Sequence, residues 1–144
     1  MKIPTTLYHF TAARFANSIL AGGLTRGQLP IVRADGSIQL ASPYQWLTTN
    51  PSFDQPWCRY PSGRLPYKVN EVRFKIILPR PTARKYLVRY LDHPAATPEA
   101  VAMLTDPEDD GPGLDSVNWW LFQGILHAVF IVNPPIHNPD LPTP

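Results

Sequence analysis

The stretch that decides the fold is LYHFT at residues 7–11, followed at once by AARFANSILAGG at residues 12–23. The first five residues are mostly aromatic or apolar around one histidine, a composition that favours a short strand. From about Ala12 to Ala21 the apolar residues Phe15, Ile19 and Leu20 share one helical face, and the two glycines that follow are a stop signal. The sequence therefore predicts a strand, a helix and a glycine stop.

Outward from this unit, strands are more frequent than helices. Further strands are predicted over residues 45–49, 69–78, 117–122 and 128–132, and a hairpin over residues 30–41 turns at Asp35-Gly36. Short helices are predicted over residues 82–90 and 98–104, the second with Thr97 as its cap. No regular alternation of strand and helix is present, so we expect an α+β fold with mainly antiparallel pairing.

Composition bounds the class of protein. With 144 residues, of which 44% are hydrophobic and 17% charged, the chain is long enough for one core and unlike a disordered segment. We expect a single domain over residues 1–133 and a proline-rich tail over residues 134–144. The sequence has no apolar run near the length of a membrane span and no apolar leader, so we expect a cytoplasmic location and no membrane contact.

Charge is segregated along the chain. Residues 59–90 hold nine Lys or Arg and one acid, whereas no basic residue follows Arg89 and eight acids do. The segment from Arg59 to Tyr90 also interleaves its cations with aromatics, which suits a nucleic acid, a pyrophosphate or an acidic protein partner. An amphipathic strand without any ligand has the same composition, and the two charged segments could also face each other or solvate different sides.

Several classes of functional site are excluded because the sequence lacks their motifs. The sequence holds neither a phosphate-binding loop nor a dinucleotide fingerprint, and it lacks the nucleophile elbow of the hydrolases. Its four histidines lack metal-ligand spacing, and one cysteine, Cys58, supplies neither a disulfide nor a thiolate zinc cluster. We therefore expect no metal site.

Two stretches carry a resemblance to a known family. Tyr8-His9-Phe10-Thr11, ahead of a helix ending in ILAGGL at residues 19–24, resembles the start of the ADP-ribosyltransferase superfamily, especially its DNA-modifying toxin branch. QWLTT at residues 45–49 resembles the superfamily's middle motif, a strand that begins with an aromatic and presents hydroxyls. The resemblance implies an ADP-ribosyltransferase-like split antiparallel β-sandwich, flanked by short helices, that clamps NAD.

The resemblance also implies roles for residues of the first motif. His9 would donate to a ribose hydroxyl of NAD, and the Phe10 backbone would hold the nicotinamide amide. Read from the residues alone, His9 is equally a histidine satisfied by a backbone carbonyl, and Thr11 is a ligand contact or a helix cap.

Aromatic and hydroxyl side chains complete the predicted NAD cleft. Tyr44 and Trp46 would stack on a ring of NAD, or belong to the core. Because Thr48 and Thr49 alternate across a strand, only one lines the cleft, and we choose Thr48, on the face of Trp46. The strand of Trp119 would form the floor.

The implied reaction is cleavage of the nicotinamide glycosidic bond, in which positive charge develops on the ribose. The family supplies a glutamate for this from a late strand, but residues 118–124 contain no acid. Gln123 and Asp115 are the candidates for that position, and Glu71 is a weaker one. The site predicted to be catalytic is thus His9 with Gln123 or Asp115.

Three functions follow from these patterns. The first is an NAD-dependent ADP-ribosyltransferase-like protein of toxin, phage or defence relevance, which transfers ADP-ribose to a nucleic acid or protein. The second is a non-catalytic module that binds nucleic acid or an acidic protein through residues 59–90. The third is an inhibitor protein that acts through the acidic segment at residues 106–115.

Overall fold

Eight strands and three α-helices form the part of the chain that the computed structural model describes, which is residues 2–53, 55, 70–104 and 116–140. The strands are β1 Thr6–Thr11, β2 Leu29–Val32, β3 Ile38–Ala41, β4 Gln45–Thr48, β5 Val72–Ile77, β6 Leu87–Arg89, β7 Trp119–Phe122 and β8 Ile136–His137. The helices are α1 Ala16–Gly22, α2 Arg80–Tyr86 and α3 Pro98–Leu104, with 3₁₀ turns at Ala13–Phe15, Tyr90–Asp92, Ser116–Asn118 and Ala128–Phe130.

Six of these strands form one sheet in the order β6-β7-β4-β1-β5-β8, and every pairing in it is antiparallel. Strands β2 and β3 form a separate hairpin. The predicted α+β class with mainly antiparallel pairing is therefore confirmed. The predicted likeness to the ADP-ribosyltransferase fold stays a prediction.

Alternation along the strands gives the sheet two distinct faces. One face, here called the core face, carries the side chains of Leu7, His9, Thr11, Leu47, Val72, Phe74, Ile76, Leu87, Trp120 and Phe122. The other, here called the aromatic face, carries those of Tyr8, Phe10, Trp46, Thr48, Val88, Arg73, Lys75, Trp119 and Leu121. This assignment follows from the registers, because directly paired residues point to the same side of a sheet.

Helices α1 and α2 cover the core face. Ile19 of α1 and Ala83 of α2 are buried in its cluster, and Phe15 and Leu20 pack against it. Helix α1 ends at Gly23, whose φ of +82° is a conformation that glycine adopts readily. A Cβ at Gly23 would also lie 2.1 Å from the Leu126 carbonyl oxygen, so the close crossing of these two segments requires glycine.

The aromatic face is covered at one end. Leu29 of the hairpin, Tyr90 and Ala95 are buried against Trp119 and Leu121, with residues of α3 packed beside them. Over β5, Lys75 is exposed and Ile77 retains 48% of its surface. The aromatic face is therefore apolar and closed over β4, β6 and β7 but open over β5.

Two predicted elements differ from the structure. Residues 82–90, predicted as one helix, divide into α2 and the strand β6, because Leu87–Arg89 pair with β7. Residues 128–132, predicted as a strand, form a 3₁₀ turn and a single bridge from Ile131 to Ile76. Pairing with distant strands, which local composition does not reveal, decides both segments.

The segment predicted as a tail contributes to the sheet. Ile136 pairs with Arg73 and His137 with Val72, and the Asn138 side chain donates to the Asn70 carbonyl at 3.0 Å. Cys58 and the acidic segment at residues 106–115 lie outside the described residues. None of the described helices has the length and apolar character needed to cross a membrane.

Candidate functional site

The main sheet splits between β1 and β4. Strand β1 pairs with β5 from Thr6 to Thr11, but with β4, in the described ladder, only at Tyr8 and Thr48. The Leu78 amide donates to the Thr5 carbonyl at 2.8 Å, so the odd-numbered residues of β1 direct their backbone N–H and C=O groups towards β5. The backbone groups of Tyr8 and Phe10 therefore point towards β4. No described pair follows at Phe10 and Trp46, so the unpaired end of the split, here called its open end, lies towards Thr11 and Gln45, whose side chains are buried.

His9 bridges this split. Its Nδ1 lies 2.9 Å from the Trp46 carbonyl oxygen. Because a carbonyl only accepts, Nδ1 carries the proton, and Nε2 of the neutral ring is left as an acceptor. Burial lowers the pKa of His9, and the bond to Trp46 opposes this only in part, so the ring is neutral at pH 7.

The alternative prediction was that a backbone carbonyl satisfies the hydrogen-bonding needs of His9, and the bond to Trp46 is such a contact. It occupies only one of the two ring nitrogens. The side chain is half-buried, so part of it stays accessible. The prediction that His9 donates to a ribose hydroxyl does not fit this tautomer: a neutral ring would accept from the hydroxyl through Nε2.

Thr11 and Phe10 lie beside His9 on β1. Thr11 is buried on the core face, and no side-chain bond caps the following turn, whose cap residue is Ala12. The Ala13 amide is instead satisfied by the Glu71 carboxylate, whose Oε1 accepts at 3.1 Å. The structure therefore does not support Thr11 as a cap, and it places the carboxylate of Glu71 just beyond the end of β1, on the side of β5.

The predicted partners of His9 on the following strands lie on the other face. Trp46, Thr48 and Trp119 share the aromatic face, and the Thr48 hydroxyl accepts from the Asn50 amide at 3.1 Å. The structure does not bring these side chains to the side of His9. Thr49 lies just beyond β4, and its hydroxyl donates to the Asn118 side-chain oxygen at 3.4 Å.

Trp46 has the contacts of a core aromatic. Its ring centroid lies 4.9 Å from that of Tyr90 and 5.7 Å from that of Trp119, and its indole Nε1 donates to the Gln28 carbonyl at 2.8 Å. Tyr44 is half-buried with an edge contact to His93. The core alternative therefore describes Trp46 better than a stacking platform does.

Gln123 lies just beyond β7, at the end of the sheet towards which the split opens, since Phe122 is aligned with Gln45. Its side chain is exposed, and its backbone amide donates to the Tyr86 backbone carbonyl. Asp115, the other predicted position, lies outside the described residues. The structure thus places Gln123 at the same end of the sheet as Gln45, two strands away from β1.

Gln45 is a residue that the sequence analysis missed. Its buried side chain accepts from the Gly27 amide and donates to the Gly124 carbonyl, both at 3.0 Å. A Cβ at Gly27 would lie 1.9 Å from the Tyr44 carbonyl oxygen, so only glycine fits there. These bonds tie three separate segments together at the open end of the split; the available sequence signal was one polar residue inside an apolar strand.

The described cations of the basic segment do not form one patch. Arg73 lies on the aromatic face, with its guanidinium carbon 5.4 Å from the Tyr8 ring and 5.0 Å from the Phe53 ring. Arg80, Arg84 and Lys85 lie on α2, which packs on the core face. Within the described ranges, no group of three His, Cys, Asp or Glu residues could hold a metal ion.

Comparisons with protein-family models, with curated proteins and with solved structures found no match to this chain. The resemblance to the ADP-ribosyltransferases therefore stays with the two short motifs.

Proposed function

We propose that this protein binds NAD at the split between β1 and β4 and transfers its ADP-ribose to a macromolecular acceptor. The observation that carries the proposal is the half-buried His9, held in one tautomer by the Trp46 carbonyl with Nε2 available as an acceptor. A ribose hydroxyl is a neutral donor that suits this nitrogen.

The chemistry favours a neutral histidine here. When the nicotinamide leaves with the electrons of the glycosidic bond, positive charge develops on the ribose, and an imidazolium close by would oppose it. The lowered pKa of His9 keeps the ring uncharged. Charge stabilisation would come from Gln123, Asp115 or Glu71, of which Glu71 is a carboxylate that accepts from the Ala13 amide just beyond the end of β1.

A labelling assay tests this function. NAD labelled in its adenylate half is incubated with the protein and with separate nucleic-acid and protein fractions, and released nicotinamide and transferred label are measured. We expect His9→Ala to abolish both while circular dichroism shows a retained fold. His127→Ala, which removes an exposed histidine, is the matched control. Full transfer by folded His9→Ala would contradict the proposal.

The same assay separates the three charge-stabilising candidates. Gln123→Ala, Asp115→Asn and Glu71→Gln each remove one group, and the Glu71 variant keeps an oxygen for the Ala13 amide. The residue that acts on the developing cation is the one whose loss lowers kcat, since a group acting only in the transition state leaves KM unchanged.

A nucleic-acid-binding module is the second candidate. It is favoured by the Arg73 guanidinium between two aromatic rings, by the exposed Lys75 on the same face, and by the absence of Asp and Glu from all six strands of the main sheet. We expect Lys75→Gln to weaken single-stranded oligonucleotide binding and to reduce its salt slope by about one. Arg84→Gln on α2 is the control; equal effects of the two changes would count against a site on the aromatic face.

A further inference from the structure

Among the described residues, strand β3 pairs only with β2, so its other edge is open, and it carries exposed apolar side chains. The Arg33 amide donates to the Ser37 carbonyl, so the odd-numbered residues of β3 turn their backbone groups to β2. The N–H and C=O groups of Ile38 and Leu40 therefore point away from β2. The side chains of these two residues keep 52% and 53% of their surface.

The other described edges are protected in ways that β3 is not. The outer edge of β2 carries Pro30, which has no N–H to donate. Strand β6 is three residues long and includes Arg89, and β8 is two residues long between prolines. Charged, short or proline-bearing edges resist pairing, whereas β3 between Ile38 and Leu40 carries neither a charge nor a proline.

We infer that two copies of this protein pair antiparallel through β3, with Gln39 on the two-fold axis. Ile38 of each copy then faces Leu40 of the other, and each such pair exchanges two backbone hydrogen bonds. The apolar–polar–apolar order of Ile38, Gln39 and Leu40 is self-complementary under this rotation, which a two-fold interface requires.

Pairing would also complete a sheet that is small by itself. A second copy converts the two-stranded hairpin into a four-stranded sheet, β2-β3-β3-β2. With three residues from each copy in the contact, the interface stays well below the roughly 1,000 Å² of a permanent complex. The dimer is therefore weak and depends on concentration.

Sedimentation equilibrium from micromolar to millimolar protein tests the association. We expect reversible dimerisation that Leu40→Lys abolishes, since a lysine on an edge strand opposes pairing. Ile125→Lys is the matched control, because Ile125 is 49% exposed and lies on no strand. A chain that stays monomeric throughout, leaving the edge to a strand of another protein, or a dimer that persists in Leu40→Lys, would overturn the inference.

Disulfide trapping tests the register. With Cys58 replaced by Ser, Gln39→Cys places two thiols at facing, non-hydrogen-bonded positions, about 4.5 Å apart between Cα atoms, which a disulfide can span. Ser37→Cys is the control. Position 37 lies two residues from the two-fold axis, so the thiols of the two copies are too far apart to form a disulfide. We expect mild oxidation to cross-link only the Gln39 variant; equal cross-linking of both would contradict the register.

Discussion

The imidazole of His9 replaces a backbone donor in the sheet, because its Nδ1 bonds to the Trp46 carbonyl just beyond the last paired residues of β1 and β4. A side chain that holds two strands together at a split is itself fixed in direction. Its second nitrogen then has a defined chemical character, that of an acceptor, before any ligand arrives.

Protonation of His9 should weaken the fold. Since folding lowers the pKa of His9, the unfolded chain binds the proton more readily. The contribution of His9 is complete above the ordinary histidine pKa of about 6.5 and is lost as the pH falls towards the lowered value. We expect Tm to decrease between pH 7 and pH 5, measured by circular dichroism, and to decrease less in His9→Gln.

The half-buried His93 contributes with the same sign, because burial lowers its pKa as well. The variant His93→Gln therefore serves as a companion measurement, and the two effects should add because His9 and His93 share no hydrogen-bond partner among the described residues. A pH profile of His9→Gln identical to that of the unmodified protein would show that His9 is not buried as described.

Tyr90 carries a buried hydroxyl without a described partner. Its side chain is fully buried, its hydroxyl forms no hydrogen bond to any residue that the structure describes, and burial raises its pKa to about 12. Because an unsatisfied buried hydroxyl is costly, we expect Tyr90→Phe to raise the free energy of unfolding by about 1 kcal/mol in urea denaturation. A loss of stability would instead reveal a bonded hydroxyl.

At the scale of elements, local sequence predicted those segments in which composition and pairing agree. Strand β1, helix α1 and the hairpin turn at Asp35-Gly36 are confirmed, and so is the Thr97 cap, whose hydroxyl accepts from the Ala100 amide at 3.2 Å. The predictions for residues 87–89 and 128–132 were wrong, because the structure of these segments depends on pairing with β7 and β5, which are distant in sequence.

The loop before β2 depends on one close approach. We expect Gly27→Ala to lower the free energy of unfolding by about 1–3 kcal/mol, because its methyl group would displace the Tyr44 carbonyl and the Gln45 amide. Gly22→Ala is the control, since a Cβ there meets nothing within 4 Å. Chemical denaturation measures both; equal stabilities would show that the Gly27 loop can move away without cost.

Across the whole molecule, the candidate site depends on registers that no single segment encodes. The sequence singled out His9, which the structure places at the split, but it chose Thr48 on the basis of a shared face with Trp46. That face is the opposite one, because Tyr8 and not His9 is aligned with Thr48. Likewise, the bond from Ala13 to Glu71 joins residues 58 positions apart, and local patterns carry no trace of it.

The same architecture predicts a gradient of stability. Strand β5 lies inside the sheet with three fully buried side chains, whereas three of the four residues of β3 are exposed. At concentrations where the chain is monomeric, we expect the Phe74 amide to exchange its hydrogen far more slowly than the Gln39 amide, measured by NMR. Equal protection would mean that the hairpin is not a separate unit.

Calorimetric titration of NAD into the folded protein measures whether His9 receives NAD at the split. We expect saturable binding to the unmodified chain and to His127→Ala. We expect the affinity of His9→Ala to be weakened about tenfold or more, because one directed hydrogen bond is lost. Absence of NAD binding, or unchanged affinity in folded His9→Ala, would contradict the proposed role of His9.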